Sequence, residues 1–89
     1  MGNLYLVDKP YGENGLALAA QDQDAAIVLI QDGVYLNIDE VSHAGRAVYA
    51  VQRDLQRRGL EQALSGRVKS ISFDDLVDLI VEHKVINFA

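Results

Sequence analysis

Two aspartates follow apolar runs and precede turn-forming residues. Asp8 comes after Leu4-Tyr5-Leu6-Val7 and before Lys9-Pro10, and Asp32 comes after Ala26-Ile27-Val28-Leu29-Ile30-Gln31 and before Gly33. If both runs are strands of a parallel sheet, the two carboxylates fall on one edge of it. Open α/β sheets take their ligands beyond the carboxyl ends of the strands. A carboxylate pair there suits Mg²⁺ or a phospho-acceptor chemistry, as in a receiver-type domain. The chain is short for that fold by about one strand–helix unit. The simpler alternative is that Asp32 caps a following helix while Gly33 supplies the turn.

Other constellations carry less chemistry. Lys9-Pro10-Tyr11-Gly12-Glu13-Asn14-Gly15 has two glycines but neither a dinucleotide fingerprint nor a P-loop, and it reads as a turn feeding a helix. Arg53, Arg57 and Arg58 cluster, with Arg53 and Arg57 at i,i+4. They can meet an acidic partner or an RNA phosphate, or form a solvated helix face. Asp54 is placed to offset their repulsion and cap the helix. His43 and His83 are far apart in sequence, and no Cys or second His stands at ligand spacing from either. His83 falls near a helix end, where positive charge suits the dipole. No Gly-x-Ser-x-Gly elbow is present. There is no cysteine, so this chain offers no disulfide, no thiolate ligand and no thiol nucleophile.

The elements that must position these residues alternate along the chain. Strands are expected at Leu4–Val7, Ile27–Ile30, Ala47–Val51 and Val68–Ile71, with Val85–Ala89 as an edge strand or docking tail. The unbroken Ile27–Ile30 run reads as a strand buried on both faces. Helical segments are expected at Leu16–Gln21, Val34–Ile38 and Arg53–Arg58, the last ended by Gly59 at positive φ. Leu60–Gly66 reads as irregular. Ser72 opens the clearest helix, with Asp75 completing a capping box. Phe73, Leu76, Val77 and Ile80 give it one apolar face. Strand alternating with helix predicts an α/β fold: one three-layer domain over 1–89, with a mainly parallel sheet of four or five strands and helices on both faces.

Composition narrows the function classes. A chain of 89 residues that is 49% hydrophobic has little interior volume, so part of its apolar surface is expected in an interface. The net charge of −5 gives no general field for phosphate backbones. Met1-Gly2-Asn3-Leu4 lacks the basic start of a signal peptide and the myristoylation pattern. No apolar run approaches the roughly 20 residues of a membrane helix. A cytoplasmic protein with no membrane association is expected.

Three segments converge on one pattern: Leu4 to Tyr11, Ile27 to Tyr35, and Val48-Tyr49-Ala50-Val51-Gln52-Arg53-Asp54-Leu55-Gln56-Arg57-Arg58-Gly59-Leu60. Together with Ile71 to Leu79 and His83-Lys84, they resemble the DsrH/TusB family of sulfur-relay proteins. The most specific pieces are the apolar strand ending in Gln-Asp-Gly-Val, and Val-Tyr-Ala followed by Asp-Leu and Arg-Gly-Leu. The resemblance implies a small α/β chain that assembles with DsrE/TusD-like and DsrF/TusC-like paralogues into a hetero-oligomer. Such complexes pass persulfide sulfur along cysteines, toward the wobble uridine of tRNA or in sulfur oxidation. The principal carrier cysteine belongs to the DsrE/TusD-type partner.

Persulfide transfer needs a thiolate, and this chain has none. The expectation is a non-catalytic subunit that takes no cofactor, touches tRNA only indirectly and can self-associate when alone. The alternative is a stand-alone homo-oligomeric domain that binds a small anion or metal. Candidate partner or ligand contacts are Asp8, Lys9, Tyr11, Gln31, Asp32, Gly33, Tyr35, Arg58 and Phe88. In this reading the Asp32-Gly33 turn aims Val34 and Tyr35 toward a neighbouring subunit.

Overall fold

The computed structural model describes residues 2–89. Met1, where the targeting reading begins, lies outside them. Five strands form one parallel sheet: β1 (Asn3–Val7), β2 (Ala25–Leu29), β3 (Ala47–Val51), β4 (Lys69–Ile71) and β5 (Lys84–Phe88). Their order is β4-β3-β2-β1-β5. The central strand is thus β2, and all five of its residues, Ala25-Ala26-Ile27-Val28-Leu29, are buried. An apolar run with no alternation is what a strand covered on both faces requires. The C-terminal segment is an edge strand rather than a tail, paired with β1 in the register Leu4↔Val85, Leu6↔Asn87.

Side chains alternate across each strand, which divides the core in two. On one face Tyr5, Val7, Ile27, Leu29, Val48 and Ala50 pack against Leu16 and Ala19 of α1 (Gly12–Gln21), Val41 of α2 (Asp39–His43) and Leu55 of α3 (Gln52–Arg57). On the other face Leu4, Ala26, Val28 and Ile71 meet α4 (Phe73–Glu82) through Leu76 and Leu79. One face carries three helices and the other carries one, because β1 to β4 progress in one direction and only the last crossover returns across the sheet.

Several local expectations are corrected. The turn-like segment Gly12 to Gly15 is the first turn of α1. Its glycines serve close packing: a Cβ on Gly12 would lie 2.4 Å from Leu36 Cδ1, and one on Gly15 would lie 2.8 Å from Phe88 Cγ. Tertiary contact here overrides poor helix propensity. Gln31–Tyr35 is a 3₁₀ segment, earlier than the helical turn expected at Val34–Ile38. The short helix α2 follows, led by Asp39 and Glu40, where acidic side chains suit the helix start. Asp54 does not cap α3: Val51 holds the N-cap position without a side-chain bond.

Other expectations hold. Gly59 takes φ +65°. Asp75 N–H donates to Ser72 Oγ at 3.1 Å and Ser72 N–H donates to Asp75 Oδ2 at 3.3 Å, the reciprocal capping box. His83 caps the other end of α4, its Nδ1–H donating to the Leu79 carbonyl at 2.8 Å. The apolar face of α4 is only half covered, however. Leu76 is buried, while Phe73, Val77, Ile80 and Val81 remain exposed.

Candidate functional site

The exits of β1, β2 and β3 meet on one rim of the sheet, and close backbone contact sets their spacing. Ile30 N–H donates to the Val7 carbonyl at 3.0 Å, and Gly33 N–H donates to the Ile30 carbonyl at 2.8 Å. Gly33 then passes against the end of β1. A Cβ there would stand 2.2 Å from the Val7 carbonyl oxygen, so any other residue would push the 3₁₀ segment off the sheet. Gly33 fits by lacking a side chain at a close backbone approach.

Beside Gly33, Gln31 adopts φ +48°, a left-handed conformation that non-glycine residues rarely take. Its backbone N–H donates to Asp54 Oδ2 at 2.8 Å. Asp54 therefore holds the exit of β2 from the first turn of α3. Arg58 closes the network: Nε and Nη2 both reach Asp32 Oδ1 at 3.0 Å, and Nη1 donates to the Asp54 carbonyl at 3.2 Å. Asp32 is thus neither a helix cap nor a vacant carboxylate. It anchors one end of an ion pair across the rim.

Asp8 is engaged separately, its Oδ1 accepting from the Lys9 backbone N–H at 2.7 Å. The structure gives the two carboxylates different partners, Asp8 the Lys9 N–H and Asp32 the Arg58 guanidinium, while Gly33, next to Asp32, packs against the Asp8 backbone. Among the described residues, no group of three or more His, Asp or Glu side chains is arranged to hold a metal ion. Lys9 extends its ammonium over the Tyr35 ring, 5.6 Å from the centroid, a cation–π contact. Tyr35 and Tyr11 are exposed. Val34, expected to point outward with Tyr35, is buried in the core instead. Phe88 stacks on Tyr5 with centroids 6.2 Å apart and covers Gly15; its contacts are intramolecular packing.

Among the described residues the Asp8 carboxylate thus bonds only to the adjacent Lys9 N–H and Tyr11 stands exposed, while the other seven candidates fall into three places. Gln31, Asp32, Gly33 and Arg58 share the rim network, Lys9 and Tyr35 form a pair, and Phe88 belongs to the core. A cleft opens beside the rim, on the α4 side of the sheet. It has a volume of about 340 Å³ and its walls include Ile30, Val51, Arg53, Arg57, Phe73 and Leu76.

At the opposite end of the sheet lies a polar cluster that the sequence does not advertise. Asp22 accepts from Asn3 Nδ2 at 2.7 Å, Tyr5 Oη at 3.0 Å and the Asp24 backbone N–H at 3.0 Å. These bonds, led by that from Asn3, hold its carboxyl below the usual carboxylate range. Burial and the Asp22 carboxylate together push the Tyr5 hydroxyl above its ordinary value. Arg46 donates to the carbonyls of Ala19, Ala20 and Ala44, closing the end of α1. Asn3, Asp22 and Arg46 lie far apart in sequence, and no spacing rule links them.

With the framework described, its relatives can be placed beside it. Residues 12–86 match the DsrH family, described as DsrH like protein. The Protein TusB of Photorhabdus laumondii is 36% identical over 63 residues, 64% of this chain and 66% of that protein. The Protein TusB of Pectobacterium atrosepticum is 32% identical over 72 residues, 74% of this chain and 76% of that protein. The matched region thus spans about two thirds of the Photorhabdus protein and three quarters of the Pectobacterium one. The family match covers more than half of the residues, and the chain belongs to the DsrH-like family.

Proposed function

We propose that this protein is a non-catalytic subunit of a cytoplasmic sulfur-relay complex that serves 2-thiolation of the tRNA wobble uridine. The observation that carries the reading is a DsrH-like chain with no cysteine among its 89 residues. A relay step consists of thiolate attack on a persulfide, with sulfur carried on the attacking thiol. Hydroxyl and imidazole groups cannot take that place. The carrier must then be a cysteine of a DsrE/TusD-like partner, with a DsrF/TusC-like chain beside it. This chain contributes shape and contact. The TusB name of its relatives favours tRNA thiolation over sulfur oxidation as the pathway.

The surface supports a subunit role. Val77, Ile80 and Val81 expose apolar side chains along α4, the one helix on its face of the sheet. A row of large apolar residues on one helix is the kind of surface that marks a protein contact. The rim network is held by internal bonds. It fits a rigid framework better than a reacting centre.

The test is reconstitution with the two paralogues, a cysteine desulfurase, cysteine radiolabelled on sulfur, a tRNA substrate, the ATP-dependent enzyme that installs sulfur on it, ATP and a thiol reductant. Label is expected on the partner's cysteine and never on this chain. Thiolated tRNA is expected only when all three chains are present. Full thiolation without this chain would overturn the proposal.

A further inference from the structure

Arg53 and Arg57 stand one helical turn apart on α3, and both are exposed. Like charges at i,i+4 repel. Asp54, between them in sequence, offsets part of that repulsion, but its hydrogen bonds and ion pair go to the Gln31 N–H and to Arg58 rather than to either arginine. Among the described residues neither Arg53 nor Arg57 forms an ion pair, although the chain has 13 acidic residues against 8 Lys and Arg. The two guanidiniums line the cleft of about 340 Å³ together with apolar Ile30, Val51 and Leu76, polar Gln31 and the carboxylate of Asp54, so its charged lining is two arginines against one aspartate. At the same cleft Phe73 is 69% exposed. The cleft also lies where β2 and β3 end, the usual ligand end of a parallel sheet.

We propose that this cleft binds a nucleotide, with its terminal phosphate held between Arg53 and Arg57 and its base stacked on Phe73. A phosphate monoester carries about −1.5 to −2 charges at neutral pH, so one group neutralises both arginines. A single carboxylate neutralises one. Guanidinium forks match phosphate oxygens in geometry, and an exposed aromatic ring is a stacking platform for any base. The net charge of −5 opposes a long phosphodiester track. The ligand is therefore a free mononucleotide or the phosphorylated end of a strand. The inference stands apart from the sulfur-relay reading, since it rests on the cleft alone.

The test is a titration of the full chain, followed by amide chemical shifts, with AMP, adenosine, inorganic phosphate, and oligoadenylate bearing either a 5′-phosphate or a 5′-hydroxyl. AMP is expected to shift Gln31, Arg53 to Arg57 and Phe73 to Leu76 saturably, with adenosine and phosphate each at least about tenfold weaker. The R53Q/R57Q double variant and Phe73→Ala should each weaken AMP binding by about tenfold or more. All three side chains are exposed, and an unchanged melting temperature verifies that the fold is kept. Binding of the 5′-phosphorylated but not the 5′-hydroxyl oligomer identifies a strand end as the source. Exclusion of both oligomers identifies the free nucleotide. The proposal is overturned by an absence of shifts at these amides up to roughly 10 mM AMP, or by unchanged affinity in the double variant. It is equally overturned if the acidic peptide Ac-Glu-Phe-Glu-NH2 binds the cleft more tightly than AMP, which would make it a protein-docking site.

Discussion

Arg58 joins Asp32 through both Nε and Nη2 at 3.0 Å, across 26 residues of sequence. The contact ties the turn after β2 to the end of α3. It fills the one carboxylate that the sequence offers as a reactive group beyond the central strand. Asp54 completes the tie from the start of α3.

The two aspartates should differ in weight. The Asp32 side chain is 60% exposed, and an exposed ion pair contributes about 0.2–1 kcal/mol. Asp54 is 16% exposed and satisfies a backbone donor at a positive-φ residue, a loss of about 1 kcal/mol or more when removed. Chemical denaturation of Asp32→Ala and Asp54→Ala is expected to show the larger loss for Asp54. A double-mutant cycle of Asp32→Ala with Arg58→Ala should give a coupling within the range for exposed pairs. A larger loss for Asp32 would contradict this ranking.

Gly33→Ala is the severe substitution at the rim. Its Cβ would meet backbone, the Val7 carbonyl at 2.2 Å, which has no rotamer by which to yield. Overpacking of this kind costs about 1–3 kcal/mol. Thermal melting should show a clear drop for Gly33→Ala, and amide exchange should rise at Ile30 and Gly33, whose N–H bonds hold the exit of β2. Unchanged stability would mean that this close approach does not exist in solution.

How the chain discloses its fold is visible in these same residues. The Ile27–Ile30 run discloses its double burial because composition and period both point one way. Ser72 and Asp75 disclose their capping box because both partners lie within one turn. Gly12 and Gly15 mislead, because their reason for being glycine is Leu36 and Phe88, distant in sequence. The fate of Asp32 depends on Arg58, and that of Asp22 on Asn3 and Tyr5. Such long-range polar pairings leave no local pattern. The outward exposure of Phe73, Val77 and Ile80 was likewise hidden: periodicity marks an apolar face without saying how much of it the sheet covers.

Asp22 gives the fold an acid-sensitive joint. Its carboxyl is held below the ordinary value of 3.8, first by the Asn3 side chain and then by the Asp24 N–H. A depressed folded-state pKa contributes stability that is present above the unfolded value and lost as pH falls through the folded one. Asp22→Asn should therefore melt below the parent protein at neutral pH, and the gap should close as pH drops below 3.8. Tyr5 is raised, so its contribution is present below its unfolded value and lost in alkali as pH rises through the folded one. A gap for Asp22→Asn that is constant across the acid range would contradict the assignment.

The exposed side of α4 separates folding from assembly. Val77 and Val81 are 45% and 77% exposed, so replacing both with glutamate should leave the fold nearly unchanged, within about 0.5 kcal/mol for surface sites. The same double variant should lose binding to the paralogous chains. Circular dichroism melts and co-purification read the two effects independently. Retained co-purification would move the interface elsewhere on the molecule.

The central claim, a cysteine-free subunit that acts within a relay assembly, is tested most directly by light scattering on size-exclusion chromatography, with the DsrE/TusD-like and DsrF/TusC-like chains present at micromolar concentration. The account predicts one discrete hetero-oligomer containing all three chains. Elution of this chain apart from both paralogues would contradict it.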